Sequence, residues 1–154
     1  MIKITTFGDI TRFDLSHTIA GRGRYWTTAY LVDKMMVDTG CAHTAGELEA
    51  ALEGTQIHQI INTHSHEDHF GANSKLLMRH PGLDIYAHPD AVQVMANPRL
   101  YQPLHPYRRL FWGWPQSCEA MPIDHDAEIE TEKYRFQVIY TPGHSPDHVC
   151  LYEA

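Results

Sequence analysis

Apolar and polar positions along this chain fall into short runs with two different periods. IKITTF alternates in the strand manner, and the β-branched and aromatic runs RYWTTAYLVD and KMMVDTG meet at Asp33-Lys34 as in a hairpin. An antiparallel start is therefore predicted. From His43 to Leu52 the period lengthens: Ala45, Leu48 and Leu52 stand at helical spacing, and Gly54 follows as a stop. IHQIINT is a run of the buried-strand kind. A second helix is predicted from Asp68 to His80, with Phe70, Leu76 and Leu77 as its apolar positions and Pro81-Gly82 closing it. LDIYAH reads as another strand, and His88-Pro89-Asp90 opens a helix through Val92, Val94 and Met95 that Asn97-Pro98 ends. Residues 98–118 break every period and concentrate proline with large aromatics, which predicts an insertion or lid loop. AEIET, KYRFQVIYT and HVCLYEA supply the last strands. The order β, β, β, α, β, α, β, α and then more β describes a sheet with helices packed on one face.

Composition narrows this picture. With 154 residues, 43% of them apolar, the chain is expected to form one domain with a real core, and it shows no internal repeat or linker. Twelve Lys and Arg against 19 Asp and Glu give a net charge of −7, which disfavours a nucleic acid as partner. No run approaches the roughly 20 apolar residues of a membrane span, and MIKITTFGDITRF lacks a signal peptide's apolar stretch, so no membrane and a cytoplasmic setting are expected. Cys41, Cys118 and Cys150 are odd in number and unpatterned, which suggests free thiols. Histidine, with 12 copies, is the outlier.

The histidines are informative by placement. In THSHEDH, His64 and His66 stand two apart at the end of an apolar strand, so both imidazoles project to one side and can share a cation. Asp68 and His69 follow, and one loop thus offers two adjacent ligand sets. Neutral imidazole and carboxylate suit Zn²⁺, or Fe and Mn at higher coordination number. A catalytic zinc takes three protein ligands and leaves a position for water. The third is best supplied by His144 in TPGHSPDH, on a tight Pro-Gly turn after a strand. His148, four residues on, and Cys41 read as supporting or structural residues, and the remaining histidines have no partner spacing. Arg108 and Arg109, with Phe111, Trp112 and Trp114, offer either an acidic or aromatic substrate contact or an insertion packed on its own domain.

MVDTG, THSHEDH and TPGHSPDH, in that order, resemble the metallo-β-lactamase-fold superfamily, which includes glyoxalase II-like and lactonase-like metallohydrolases. The resemblance implies an α+β fold, a four-layer αββα sandwich, of which residues 1–154 would be a single domain truncated at the C-terminus, covering the first half to two-thirds. It further implies that His64, His66 and His144 hold a first metal, that Asp68 and His69 serve a second, and that Asp38 supports the site. Asp68 would orient the attacking water. One or two Zn²⁺ are expected, with Fe or Mn as alternatives. The implied activity is metal-dependent hydrolysis of a small-molecule ester, thioester or lactone. Alternatives are a mono-iron enzyme similar to persulfide dioxygenases and a non-catalytic metal-binding half-domain, and an uncovered sheet would favour a homo-oligomer.

Overall fold

The structure, a computed structural model, describes residues 1–153. Strands β1 (Ile2–Phe7) and β2 (Ile10–Leu15) form a hairpin, followed by a small ribbon of β3 (Thr18–Ile19) and β4 (Arg22–Gly23). β5 (Thr27–Val32) and β6 (Met35–Val37) lead into a single 3-10 turn (Ala42–Thr44) and helix α1 (Ala45–Ala51). Then come β7 (Gln59–Ile61), α2 (Asn73–Arg79), β8 (Asp84–Ala87) and α3 (Pro89–Ala96). Two short helices, α4 (Pro98–Tyr101) and α5 (Pro106–Phe111), precede β9 (Met121–Pro122), β10 (Glu128–Glu130), β11 (Arg135–Tyr140) and β12 (Val149–Glu153).

The large sheet runs β1-β2-β5-β6-β7-β8-β9, and β10-β11-β12 make a second, antiparallel sheet. Pairing is antiparallel from β1 to β6, in agreement with the hairpin at Asp33-Lys34, and parallel from β6 to β9. The central parallel strands β6 and β7 are covered on both faces, which explains their unbroken apolar runs. In β6 and β7 consecutive residues serve opposite layers. Met36 and Ile60 pack with Leu48, Leu76 and Met95 of the helices. Met35 and Ile61 pack with Ile129, Val138 and Val149 of the second sheet. Helices, large sheet and small sheet are three layers of an α+β sandwich.

Three expectations need correction. β2 was not among the strands read from the sequence, although Phe13 and Leu15 alternate inward against polar Arg12 and Asp14. The second helix begins at Asn73, not Asp68. Its would-be first turn is bonded sideways: Thr39 N–H donates to the His69 carbonyl at 2.7 Å and Gly71 N–H to the Gly40 carbonyl at 2.7 Å. Backbone groups committed to a neighbouring segment cannot also close helical turns. The approach is so close that a Cβ on Gly71 would lie 2.2 Å from the Cys41 carbonyl carbon. Lastly, residues 98–118 contain α4 and α5 where an irregular loop was expected; each starts with proline at its first position, where the missing N–H costs nothing.

Candidate metal centre

Three segments converge at one end of the large sheet: residues 38–40 after β6, residues 62–72 after β7 and residues 141–148 between β11 and β12. Backbone hydrogen bonds fasten them together. Asp38 N–H donates to the Ile61 carbonyl at 2.9 Å, and Val149 N–H donates to the Thr63 carbonyl at 2.8 Å, which ties the small sheet to the large one.

Among the described residues, His64, His66 and His144 form a group whose ligand atoms all lie within 4.8 Å of one another. His64 Nε2 and His66 Nδ1 face each other at 3.1 Å. Two zinc–nitrogen bonds of about 2.05 Å at a tetrahedral angle require a separation of roughly 3.3 Å, so the pair fits a shared cation. The His144 ring completes the group, with its centroid 5.1 Å from that of His64 and 4.9 Å from that of His66. His64 is buried, His66 half-buried and His144 exposed, so the group opens to solvent on one side.

Asp38 holds this arrangement in place. It is 4% exposed and adopts a left-handed backbone with φ +59, which an aspartate tolerates better than most residues. Its Oδ1 accepts the Thr63 N–H at 2.8 Å, and its Oδ2 accepts the Thr63 hydroxyl at 2.8 Å and His69 Nδ1 at 2.7 Å. The Thr63 hydroxyl, having given its proton to Asp38, can only accept from His64 Nδ1 at 2.9 Å. His64 therefore carries its proton on Nδ1 and turns the Nε2 lone pair inward. By the same logic His69 Nε2 is left free, 3.8 Å from Asp68 Oδ2. Asp68 and His69 thus adjoin the histidine group as a pair of their own.

Protonation follows from these surroundings. Burial, reinforced by neighbouring His69, pushes His64 down to about 3. Burial and then Arg108 lower His66. His69 is raised: burial opposes the charge, but the Asp38 carboxylate outweighs it. The metal-free site thus presents neutral imidazoles at His64 and His66, the form that ligates metal. The unfolded chain takes up a proton at His64 below about pH 6.5, whereas the folded chain does not until about pH 3. The stability contributed by neutral His64 is accordingly full above pH 6.5 and lost as pH falls. Urea melts of metal-free protein should show a decline between pH 6.5 and 4 approaching about 1.4 kcal/mol per pH unit per group, whereas His69, whose pKa is raised, contributes stability that is constant below pH 6.5 and is lost only as pH rises above it. A flat profile across that range would contradict the assignment of a neutral, buried His64.

Asp147, which spacing alone does not single out, clamps the loop of His144 to that of His64. It is 3% exposed, accepts the Ser65 N–H at 2.9 Å and takes the hydroxyl of Ser145. Burial works against its charge, yet those two donors hold the carboxyl below its usual range. Asp147→Ala leaves a buried N–H unmet and is expected to cost about 1–3 kcal/mol. Asp147→Asn, which retains an acceptor, should cost less in the same urea titration. A polar residue two positions after a serine and next to a histidine was the available signal. His148 turns its Nδ1 to the Thr141 hydroxyl at 2.8 Å, in keeping with a supporting role.

A mixed sheet backed by helices, with a histidine-rich loop at its strand ends gathering three imidazoles, defines an α+β protein suited to holding a divalent metal. The chain belongs to the metallo-beta-lactamase superfamily, whose family model matches residues 23–154. It is 28% identical over 136 residues to the probable metallo-hydrolase YflN of Bacillus subtilis, covering 77% of this chain and 50% of that protein. Over 104 residues it is 34% identical to hydroxyacylglutathione hydrolase of Xylella fastidiosa, covering 68% of this chain and 31% of that enzyme. In fold it matches a flavo di-iron protein of Thermotoga maritima with a TM-score of 0.72 at 20% identity, covering 99% of this chain and 41% of that one. The chain thus spans half or less of the length of these relatives.

Proposed function

We propose that this chain carries the metal-binding part of a hydrolase that acts on an ester, thioester or lactone of a small molecule. The carrying observation is the convergence of His64 Nε2, His66 Nδ1 and His144, with the tautomer of His64 set by Asp38 through Thr63. Three imidazole nitrogen donors suit zinc, and Asp68 with His69 would serve a second ion. The chemistry supplied by a divalent cation held there is polarisation of a carbonyl oxygen and acidification of water to a pKa of about 7.

The chain's own residues do the rest. Asp38 fixes the ring orientations of His64 and His69, and Asp147 keeps the 144 loop against the 64 loop. Asp68, half-buried at the mouth, is assigned to accept a hydrogen bond from the attacking water and aim it. A cleft of about 360 Å³ opens beside His66, walled by Val94, Tyr101, Gln102 and Pro146, with room for a small acyl group. The names of the relatives, a probable metallo-hydrolase and a hydroxyacylglutathione hydrolase, support a hydrolytic reaction.

The test is metal content followed by turnover. Protein purified without chelators is assayed for zinc, iron and manganese, then for hydrolysis of a nitrophenyl ester, a hydroxyacylglutathione thioester and a lactone before and after dialysis against chelator. Zinc-dependent hydrolysis supports the proposal. Iron with oxygen consumption and no hydrolysis would replace it with the oxygenase reading, and bound metal without any turnover would favour the non-catalytic half-domain.

A further inference from the structure

The side chain of Glu67 is completely buried, at 0% exposure, although it lies in the chain between His66 and Asp68. A carboxylate shut away from water requires a partner, and this one comes from the 98–118 segment. Arg108 on α5 meets it with both arms of the guanidinium: Nε lies 2.6 Å from Oε1 and Nη2 lies 2.7 Å from Oε2. Such a fork-to-fork pair admits one relative orientation of the two planes, which a lysine's point charge would not impose. Arg108 is itself braced by Trp112, whose ring lies 5.7 Å from its guanidinium carbon. The far side of this segment is tied to the turn before α1: His43 Nε2 lies 3.1 Å from the Arg109 carbonyl, and His43 N–H donates to the Trp112 carbonyl at 3.3 Å. The segment is therefore fastened at two places, and one of them is the metal-binding loop itself.

We propose that Arg108 is a positioning residue which, by locking Glu67, sets the orientation in which His66 and Asp68 face the metal, so that metal affinity and the placement of residues 98–118 are coupled. This rests on the three-histidine reading above. The peptides on either side of Glu67 carry His66 and Asp68, so freedom at its backbone torsions passes directly to both. Release of the carboxylate also leaves a negative charge without its counter-ion one residue from each of them. Because coupling is reciprocal, metal binding should in turn steady the 98–118 segment.

The experiment compares the chain with its E67Q, R108K, R108M and E67M/R108M variants. Three readouts are taken: zinc dissociation constants by competition with a chromophoric chelator, the visible spectrum of the Co²⁺-loaded protein, and hydrogen exchange of residues 98–118. E67Q and R108M should weaken zinc binding by about 10- to 100-fold, the range seen when groups supporting metal ligands are removed. Both should alter the Co²⁺ spectrum and speed exchange in 98–118, and R108K should fall between them and the parent. Zinc should slow exchange of 98–118 in the parent and not in R108M. The double variant, with no buried charge left unpaired, should fold whether or not R108M does and still bind zinc weakly, since its apolar pair cannot impose the fork geometry. Faster exchange with zinc affinity within twofold of the parent and an unchanged Co²⁺ spectrum would reduce the pair to a structural tie and overturn the proposal, as would unchanged exchange. Failure of the unmutated chain to take up zinc is a separate result, which removes the three-histidine reading and this proposal with it.

Discussion

Replacing His144 by alanine is expected to abolish tight metal binding while leaving the fold nearly intact. A structural zinc site with four ligands is worth about 10–16 kcal/mol, so one ligand accounts for roughly 3 kcal/mol and its loss for a factor of about 10²–10³ in dissociation constant. His144 is the sharpest of the three positions to test because its side chain is exposed on a turn, so removing it opens no cavity. His64→Ala would confound the result, since that ring is 2% exposed and is hydrogen-bonded to Thr63. Equilibrium dialysis with metal analysis reads the effect, and hydrolysis should fall in parallel. His148→Ala is the control, with affinity within a few-fold of the parent because that ring is engaged with Thr141. Zinc affinity unchanged in His144→Ala would remove the 141–148 turn from the site and leave the histidine pair alone.

Much of this site is legible in the order of residues because its chemistry is local. His64, His66, Asp68 and His69 lie within one short loop, and any chain that ends a buried strand there must present them together. His144 is 78 positions beyond His66, and its assignment draws on the turn that displays it and on the count of ligands a catalytic zinc needs. Asp38 was reachable only through the resemblance, because what makes it a hub is a set of bonds to Thr63 and His69, 25 and 31 positions away. Glu67, Arg108 and Asp147 follow the same rule: each acts through a partner that spacing cannot supply. Glu67 in particular looks like an ordinary charged loop residue until Arg108, 41 positions on, is seen to meet it.

The fold divides along similar lines. Period-2 and period-3.6 patterns located β5, β6, α1, β7, β8, α3 and β10–β12 because each of these buries one face or both against a neighbour, while β1 alternates although it is largely exposed. The patterns failed in two places where other forces decide. Around residues 68–72 the apolar spacing is compatible with a helix, yet the backbone spends its hydrogen bonds on the 39–40 segment, and Gly71 permits that contact where a Cβ would forbid it. The consequence is functional: a turn-forming, laterally bonded loop carries Asp68 and His69 back toward the strand ends. In residues 98–118 the prolines that signalled a loop instead begin two short helices, and the second of them carries Arg108 to Glu67.

Asp38→Ala is expected to be the most destabilising single change at the site. It removes three acceptor contacts at once, leaving the Thr63 N–H and His69 Nδ1 without a partner in surroundings where Asp38 itself is only 4% exposed. Breaking a buried, hydrogen-bonded charge typically costs about 3–5 kcal/mol. An alanine at φ +59 adds the steric penalty of the left-handed region, about 1 kcal/mol, which an aspartate partly offsets by local hydrogen bonding. Asp38→Asn keeps an oxygen for the Thr63 N–H and should cost about half as much, while the His69 pKa falls because the carboxylate that raised it is gone. Thr63→Val separates stability from chemistry. It preserves the backbone bond to Asp38 but cuts the hydroxyl link to His64, so urea stability should change little. With that link gone, ¹⁵N spectra of the metal-free protein should show His64 as a mixture of tautomers in place of the Nδ1–H form. Metal affinity should drop about tenfold as the inward lone pair loses its bias. If Asp38→Ala unfolds within 1 kcal/mol of the parent, or Thr63→Val leaves the His64 tautomer unmixed, then the orientation of these imidazoles is set by packing and not by the Asp38 network.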